Sequence, residues 1–316
     1  MTDTIIRDDR RDDRRGGRAR RPHTIAGTPR PGLPVRGLKG IVLLIACALV
    51  ILPFLAVVST SLADQQQVTE AGGYVLWPDR PNLDAYRAIL SGGVVTRALV
   101  ISIGITVVGT GLSLTCVTLL AYSLSRSSSF LHKPVLLTVL FTLFFTPGMI
   151  PTYLTVRQLG LLDSYWSLIL PTMVGAFQVI IMRAFFQEIP GELVDAARID
   201  GANELQILTR IVLPLSKAVI AVIGLFNAVA YWNAFFNAVL YINDTEKWPL
   251  QLVLRTYVVD NAAFGVDTAD IAGTVMPPAQ SLQMAILVIS LVPIALVYPF
   301  LQRHFAKGML IGAVKG

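Results

Sequence analysis

Six uncharged stretches divide the chain: Gly40 to Ala63, Ala98 to Ser125, Pro134 to Val156, Ser164 to Met182, Ala218 to Asn243 and Ile271 to Gln302. Crossing a bilayer takes roughly 18 or more apolar residues, and lipid-facing backbone must bond within its own segment, so the pattern predicts one helix per stretch. The last helix is expected to begin late, because Pro277 and Pro278 cannot sit in a helix interior. Between the fourth and fifth stretches the pattern changes. Arg183 to Lys217 is charged and far longer than a helix-to-helix turn needs. Pro190 suits a first helical turn, and Glu192 and Asp195 favour the positive end of a helix. Leu193, Ala196, Ala197 and Ile199 are predicted to form that helix's apolar side. Gly201 permits a left-handed stop, Asn203 can cap a second helix, and Leu205, Leu208 and Ile211 give the second helix an apolar stripe, with Pro214 closing the loop. Two short helices joined at a glycine form a knob that can fill a partner's groove, or an amphipathic hairpin that lies on the membrane; spacing alone fits both.

Composition strengthens the membrane reading. Hydrophobic residues make up 54% of the chain, charged residues only 15%, and the mean hydropathy is +0.63, outside the range of soluble domains. The sequence therefore predicts an all-α, polytopic membrane protein with six spans. Charge then orients it, since Lys and Arg collect on the cytoplasmic side of short loops. The tail before Gly40 carries eleven Lys and Arg against five Asp, a balance of +6 that equals the net charge of the whole chain. Arg126 and Lys133 follow the second stretch, and Arg303, Lys307 and Lys315 follow the sixth, without an acid among them. The segments Asp64 to Gly93 and Tyr241 to Asp270 are acid-rich and belong outside, which places both termini in the cytoplasm. The tail's interleaved Asp and lack of aromatics favour a disordered, lipid-facing orientation signal over a nucleic-acid arm, and its layout is not that of a secretory signal peptide.

Several chemistries are excluded or disfavoured. Cys47 and Cys116 both fall in predicted spans and offer no disulfide framework or CxxC metal site. His23, His132 and His304 are scattered without ligand spacing. An ion-coupled carrier ordinarily places an ionisable residue inside the membrane, and the six stretches hold no Asp, Glu, Lys, Arg or His. A self-contained pump needs a phosphate-cradling GxxxxGK[ST] loop, which the sequence lacks. Active transport would then borrow its energy from another polypeptide, with the charged loop as the point of contact.

The string Asp195-Ala196-Ala197, three residues, Gly201, nine residues, Ile211-Val212-Leu213-Pro214 resembles the EAA loop of the permeases of binding-protein-dependent ABC transporters, the type I or MetI-like family. Its first acid is Asp where Glu is usual, which shortens the reach to a basic partner. The resemblance runs from Val94 to Gly316, with the first span as an added helix, the layout of the six-span carbohydrate permeases. Blocks at Gly148 to Pro171, Ile180 to Pro190, Tyr231 to Asp244, Lys247 to Arg255 and the terminal IGAVKG are similar to the LplC and YtcP branch of that group.

The resemblance implies a subunit without catalytic residues or a cofactor of its own, in the plasma membrane, driven by a cytoplasmic ATPase dimer that binds ATP and Mg. It implies a homologous permease as partner, in a heterodimer, and an extracytoplasmic solute-binding protein. Asp195, Ala196, Ala197, Asp200, Gly201, Leu213 and Pro214 would then couple to the ATPase, with a solvated helix-end carboxylate as the plainer reading of Asp200. Val314, Lys315 and Gly316 would make a second contact or simply fray. Asn227, Tyr231, Trp232, Asn233 and Asn237 of the fifth stretch suit a sugar path, with amides for hydroxyls and aromatic faces for stacking; glue between helices is the plainer reading, and Trp232 also suits an interface anchor. The loop from Tyr241 to Pro278 would dock the binding protein or act as a lid. The chain accordingly divides into a basic tail at 1–39, a first helix and external segment at 40–93, a transmembrane domain at 94–303 with its coupling loop at 190–214, and a C-terminal tail at 304–316. The rival readings are an autonomous channel or ion-coupled carrier, and a membrane scaffold that moves no solute.

Overall fold

A computed structural model describes residues 33–126, 131–260 and 279–313, the last fourteen of these as backbone. Every regular element among them is helical. In chain order they are α1 (Leu33–Leu62), α2 (Gln65–Glu70), α3 (Asp84–Leu90), α4 (Val94–Ser125), α5 (His132–Phe144), α6 (Met149–Gln158), α7 (Trp166–Ile169), α8 (Ala176–Gln187), α9 (Gly191–Ile199), α10 (Glu204–Ile207), α11 (Leu213–Leu215), α12 (Lys217–Trp232), α13 (Phe235–Tyr241), α14 (Leu250–Leu254) and α15 (Ala279–Ala313). The chain separates into two units, 1–51 and 52–316. In the first, the described part of α1 exposes apolar side chains all round, with Leu43, Leu44 and Leu49 among them, as lipid contact requires.

Among the described residues, three helices are each long and apolar enough to cross a membrane: Gly37–Leu62, Val94–Ser125 and Ala279–Pro299. They occupy the first, second and sixth stretches; Pro277 and Pro278, expected to delay the last helix, lie outside the described residues. One helix per stretch fails for the other three. The third stretch is interrupted between α5 and α6 at Thr146-Pro147-Gly148, where Pro147 lacks a donor and disfavours helix at the residue before it. The fourth is two pieces, Trp166–Thr172 and Ala176–Gln187, bent by 53° at the Pro171 to Gly175 segment. The fifth ends as a continuous helix at Trp232. There the Asn233 side chain donates to the Val229 carbonyl at 3.0 Å and the Phe235 amide to the Asn233 carbonyl at 2.7 Å, closing a turn before α13.

Helix α4 is the hub of the second unit. It packs most closely against α12 and α8, and also against α3, α5, α7 and α14. The α4 to α12 approach depends on Gly109, because a Cβ there would lie 2.9 Å from the Tyr231 ring. Three apolar clusters run along this hub. One joins α4, α8 and α12 to the 190–214 loop through Val117, Met182, Ile207 and Ile223. A second joins α3, α4, α12, α14 and α15 through Ala98, Trp232, Val253 and Ile286. A third joins α4 to α6, α7, α13 and α14 through Ile105, Val156, Leu168 and Tyr241.

The end of α4 opposite the 190–214 loop carries a folded polar cap. The Thr60 hydroxyl accepts from the Val75 amide at 2.9 Å, and the Ser61 and Tyr86 hydroxyls pair at 2.7 Å. The Ser281 hydroxyl donates to the Ala63 carbonyl at 3.2 Å, tying the start of α15 to the segment after α1. Asp163, at a positive φ of 56°, accepts from the amides of Asn243 at 2.6 Å and Asp244 at 2.9 Å, bridging the loops after α6 and α13. These backbone bonds, from Asp244 first and Asn243 second, hold its carboxyl below the usual carboxylate range.

Candidate functional site

The charged loop folds as two short helices against the bundle. Helix α9 stops in a paired C-terminal motif: the Ala202 amide bonds the Ala197 carbonyl at 2.9 Å and the Gly201 amide bonds the Arg198 carbonyl at 3.0 Å. This Schellman arrangement needs a left-handed residue, and Gly201 supplies it with φ 82°. Asn203 then caps α10 reciprocally, accepting from the Gln206 amide at 2.9 Å while its own amide donates to the Gln206 side chain at 3.0 Å. Stop and cap fall on the residues the sequence indicates for them.

The buried faces differ from the expected ones. Of Leu193, Ala196, Ala197 and Ile199, only Ala197 packs inward, and Val194 beside it is the buried anchor of α9. In the second helix the inward residues are Ile207, Leu208 and Val212, with Ile211 half-buried, while Leu205 is exposed. Beyond Leu208 the face is turned further: residues 208–212 form a π-helix, which carries five rather than four residues between bonded groups. It lies just before Pro214, whose ring and missing amide cannot close the normal i to i−4 bond. At Ser216 the chain turns by 85° into α12.

What remains outward is three separate apolar side chains in a charged setting. Ile199 is 87% exposed, Leu205 65% and Leu193 46%. Asp195, Ala196, Asp200 and Gly201 lie exposed on the same loop, Leu213 is half-buried and Pro214 exposed. Asp195 meets Arg198 at 3.6 Å, and Arg198 meets Glu204 at 2.7 Å. Glu204 reaches the bundle, accepting from the Tyr122 hydroxyl at 2.5 Å, with the Arg126 guanidinium over the Tyr122 ring at 5.2 Å. The bonds from Tyr122 and then Arg198 hold the Glu204 carboxyl below its usual range. Glu204 was not legible as a site residue, since its partner Tyr122 lies 82 positions away; its place as first residue of a capped helix was the only local signal. Under the loop, Tyr122, Arg126, Phe186 and Val194 border a cavity of about 230 Å³.

The five polar and aromatic residues of the fifth stretch separate into two groups. Tyr231 and Trp232 are buried: the Tyr231 hydroxyl pairs with that of Ser113 at 2.7 Å and reaches the Ile169 carbonyl at 3.3 Å, and the Trp232 indole donates to the Ser290 carbonyl at 3.1 Å. Asn227 is buried and accepts from Gln178 at 2.8 Å. Asn233 is exposed and Asn237 half-buried, on either side of the break between α12 and α13. The segment after Tyr241 is more than an external loop, because α14 buries Leu250, Leu252 and Val253 in the bundle and the Leu250 amide donates to the Ser102 hydroxyl at 2.7 Å. Val314, Lys315 and Gly316 lie outside the described residues, as do the tail before residue 33 and residues 261–278.

Residues 117–311 match the family described as "Binding-protein-dependent transport system inner membrane component". The chain is 46% identical over 274 residues to the polygalacturonan/rhamnogalacturonan transport system permease protein YtcP of Bacillus subtilis, covering 87% of this chain and 96% of that one. It is 47% identical over 271 residues to Protein LplC of the same organism, covering 85% and 90%. A crystal structure of a bacterial ABC transporter involved in the import of the acidic polysaccharide alginate contains a chain that superposes with a TM-score of 0.79 at 32% identity, covering 88% of this chain and all of that one.

Proposed function

The chain belongs to the family of inner membrane components of binding-protein-dependent transport systems, and from that premise we propose that it passes a carbohydrate through the plasma membrane under the drive of a separate ATPase. It is a multi-pass permease subunit of an ABC importer, a transport component and not an enzyme. The proposal concerns its solute, its partners and its coupling residues. The observation that carries it is the exposure of Leu193, Ile199 and Leu205 on a charged loop that Val194, Ile207 and Val212 anchor to the bundle. Exposed apolar anchors among charged side chains, on a loop fixed to the hub helix, suit a groove on a soluble partner.

In this reading Asp195, Ala196, Ala197, Asp200 and Gly201 meet the ATPase, and Leu213 and Pro214 pass its movement into α12 at the 85° turn. ATP and Mg sit on the partner. Closure of the ATPase dimer tilts α4 and α12 together and opens the cavity outward for solute from a binding protein; hydrolysis reverses it. A homologous permease completes the pair as a heterodimer, and Val314 to Gly316 add a contact to the ATPase. Six spans follow if α5 with α6, α7 with α8, and α12 with α13 each make one broken crossing beside α1, α4 and α15, with both termini inside. The 94–303 portion is then the transmembrane domain and 190–214 its coupling loop. Asn233 and Asn237 face the path, while Tyr231 and Trp232 hold α12 to its neighbours. The solute is a carbohydrate, as for the relatives named for pectic polysaccharides and alginate.

A mild-detergent pull-down from native membranes, with mass spectrometry of the partners, tests the assembly. Recovery of an ATPase and a second permease, lost in Gly201→Asp, is expected. Recovery of the chain alone would overturn the proposal.

A further inference from the structure

Two helices lead into and out of the coupling loop, α8 and α12, and they are joined by a pair of amides. Gln178 Nε2 donates to Asn227 Oδ1 at 2.8 Å. Two primary amides can close a ring of two such bonds, and here one is made. Gln178 Oε1 and Asn227 Nδ2 are both buried without a partner among the described residues, and Asn227 is only 3% exposed. Exchanging oxygen and nitrogen in both amides reverses the bond and again leaves one donor and one acceptor open. An unmet donor beside an unmet acceptor in a membrane core is costly, and an apolar pair of similar volume would avoid the cost. On α12 itself the Tyr231 hydroxyl and the Trp232 indole are satisfied; the Thr106 and Thr110 hydroxyls of α4 and the Trp248 indole are also buried without a partner among the described residues, but each is a single group, whereas Gln178 and Asn227 leave a donor and an acceptor open in one bonded pair. The open pair is complementary to a group that donates and accepts at once, which is a hydroxyl.

We propose that Gln178 and Asn227 together bind one hydroxyl of the transported carbohydrate when α8 and α12 part during the transport cycle, an inference that rests on the importer reading above. The bond between the two amides closes the site in the state described, and its opening is set by the same loop that meets the ATPase. A resident water has the same hydrogen-bonding chemistry, and the experiment separates the two sources.

The native complex is reconstituted in liposomes with its solute-binding protein, and import of a galacturonate trisaccharide and of the uncharged galactose trisaccharide is measured beside ATP hydrolysis. In Gln178→Leu/Asn227→Leu, import per ATP hydrolysed is expected to fall about tenfold, as losing two hydrogen bonds implies, while hydrolysis stimulated by the binding protein persists. The swap Gln178→Asn/Asn227→Gln, which keeps both amides and their combined length, is expected to restore import. Gln178→Met alone serves if the double Leu variant does not assemble, and is expected to lower import per ATP in the same direction. Unchanged import in an assembled Leu or Met variant would overturn the inference and leave the pair as packing or a water site. Wild-type complex that hydrolyses ATP but imports neither trisaccharide would remove the carbohydrate reading itself, and the inference with it.

Discussion

Gly201 combines a conformational requirement with an open surface. Its φ of 82° is left-handed, and a Cβ there would meet nothing within 4 Å. Gly201→Ala is therefore expected to lower stability by about 1 kcal/mol through backbone strain alone, and Gly201→Asn by less, since Asn tolerates this region; thermal unfolding of the purified chain checks both. Asp163 makes a second case. Its folded carboxyl lies below the ordinary value because it accepts backbone amides, so its stabilising contribution is present above the ordinary carboxylate range and is lost as pH falls through the lowered folded value. Hydrogen exchange at the Asn243 and Asp244 amides, corrected for intrinsic rate, is expected to lose protection in that acidic window, and in Asp163→Ala to lack it at neutral pH. Gly201 and Asn203 were legible in the sequence because a helix stop and a cap are local chemistry. The inward positions Val194, Ile207 and Val212 were not, because the face that is buried depends on tertiary packing against α8 and against α4, which lies far earlier in the chain.

Helices in this protein are defined as much by their breaks as by their length. The apolar stretches mark where chain enters the membrane, and Pro147 with Gly148 and Pro171 are local breakers inside two of them, where length and hydropathy alone indicate one helix. The break at Asn233 was less legible, since it comes from a side chain bonding back to a carbonyl one turn earlier. Packing between elements sets the next prediction. Gly109→Ala would place a methyl 2.9 Å from the Tyr231 ring, and overpacking at the α4 to α12 crossing is expected to cost about 1–3 kcal/mol, read as a lowered unfolding temperature; the paired Gly109→Ala/Tyr231→Leu variant should recover part of it. The link from Glu204 to Tyr122 is the polar counterpart, holding the loop to the hub. Glu204→Ala is expected to leave the chain folded, since exposed ion pairs contribute roughly 1 kcal/mol or less, while lowering solute import per ATP hydrolysed severalfold. Glu204→Gln, which still accepts from Tyr122, should lie between the two.

For the molecule as a whole, the division of labour follows from what the chain contains. Its apolar stretches hold no acid or base to bind a coupling ion, its 190–214 loop is anchored inside by Val194, Ile207 and Val212 and exposes Ile199 among charged side chains, and its relatives are transport permeases along nearly their full length. In the proposed reading energy arrives through a contact, and the exposed Ile199 is where the loop offers one. The most direct measurement is ATP-driven solute uptake in liposomes, comparing the purified chain alone, the complete native complex with its binding protein, and the same complex carrying Ile199→Asp. The account expects no accumulation by the chain alone, uptake by the complex, and loss of uptake when a carboxylate replaces the exposed apolar anchor. Solute accumulation by the chain alone, or uptake undiminished in an assembled Ile199→Asp complex, would contradict it.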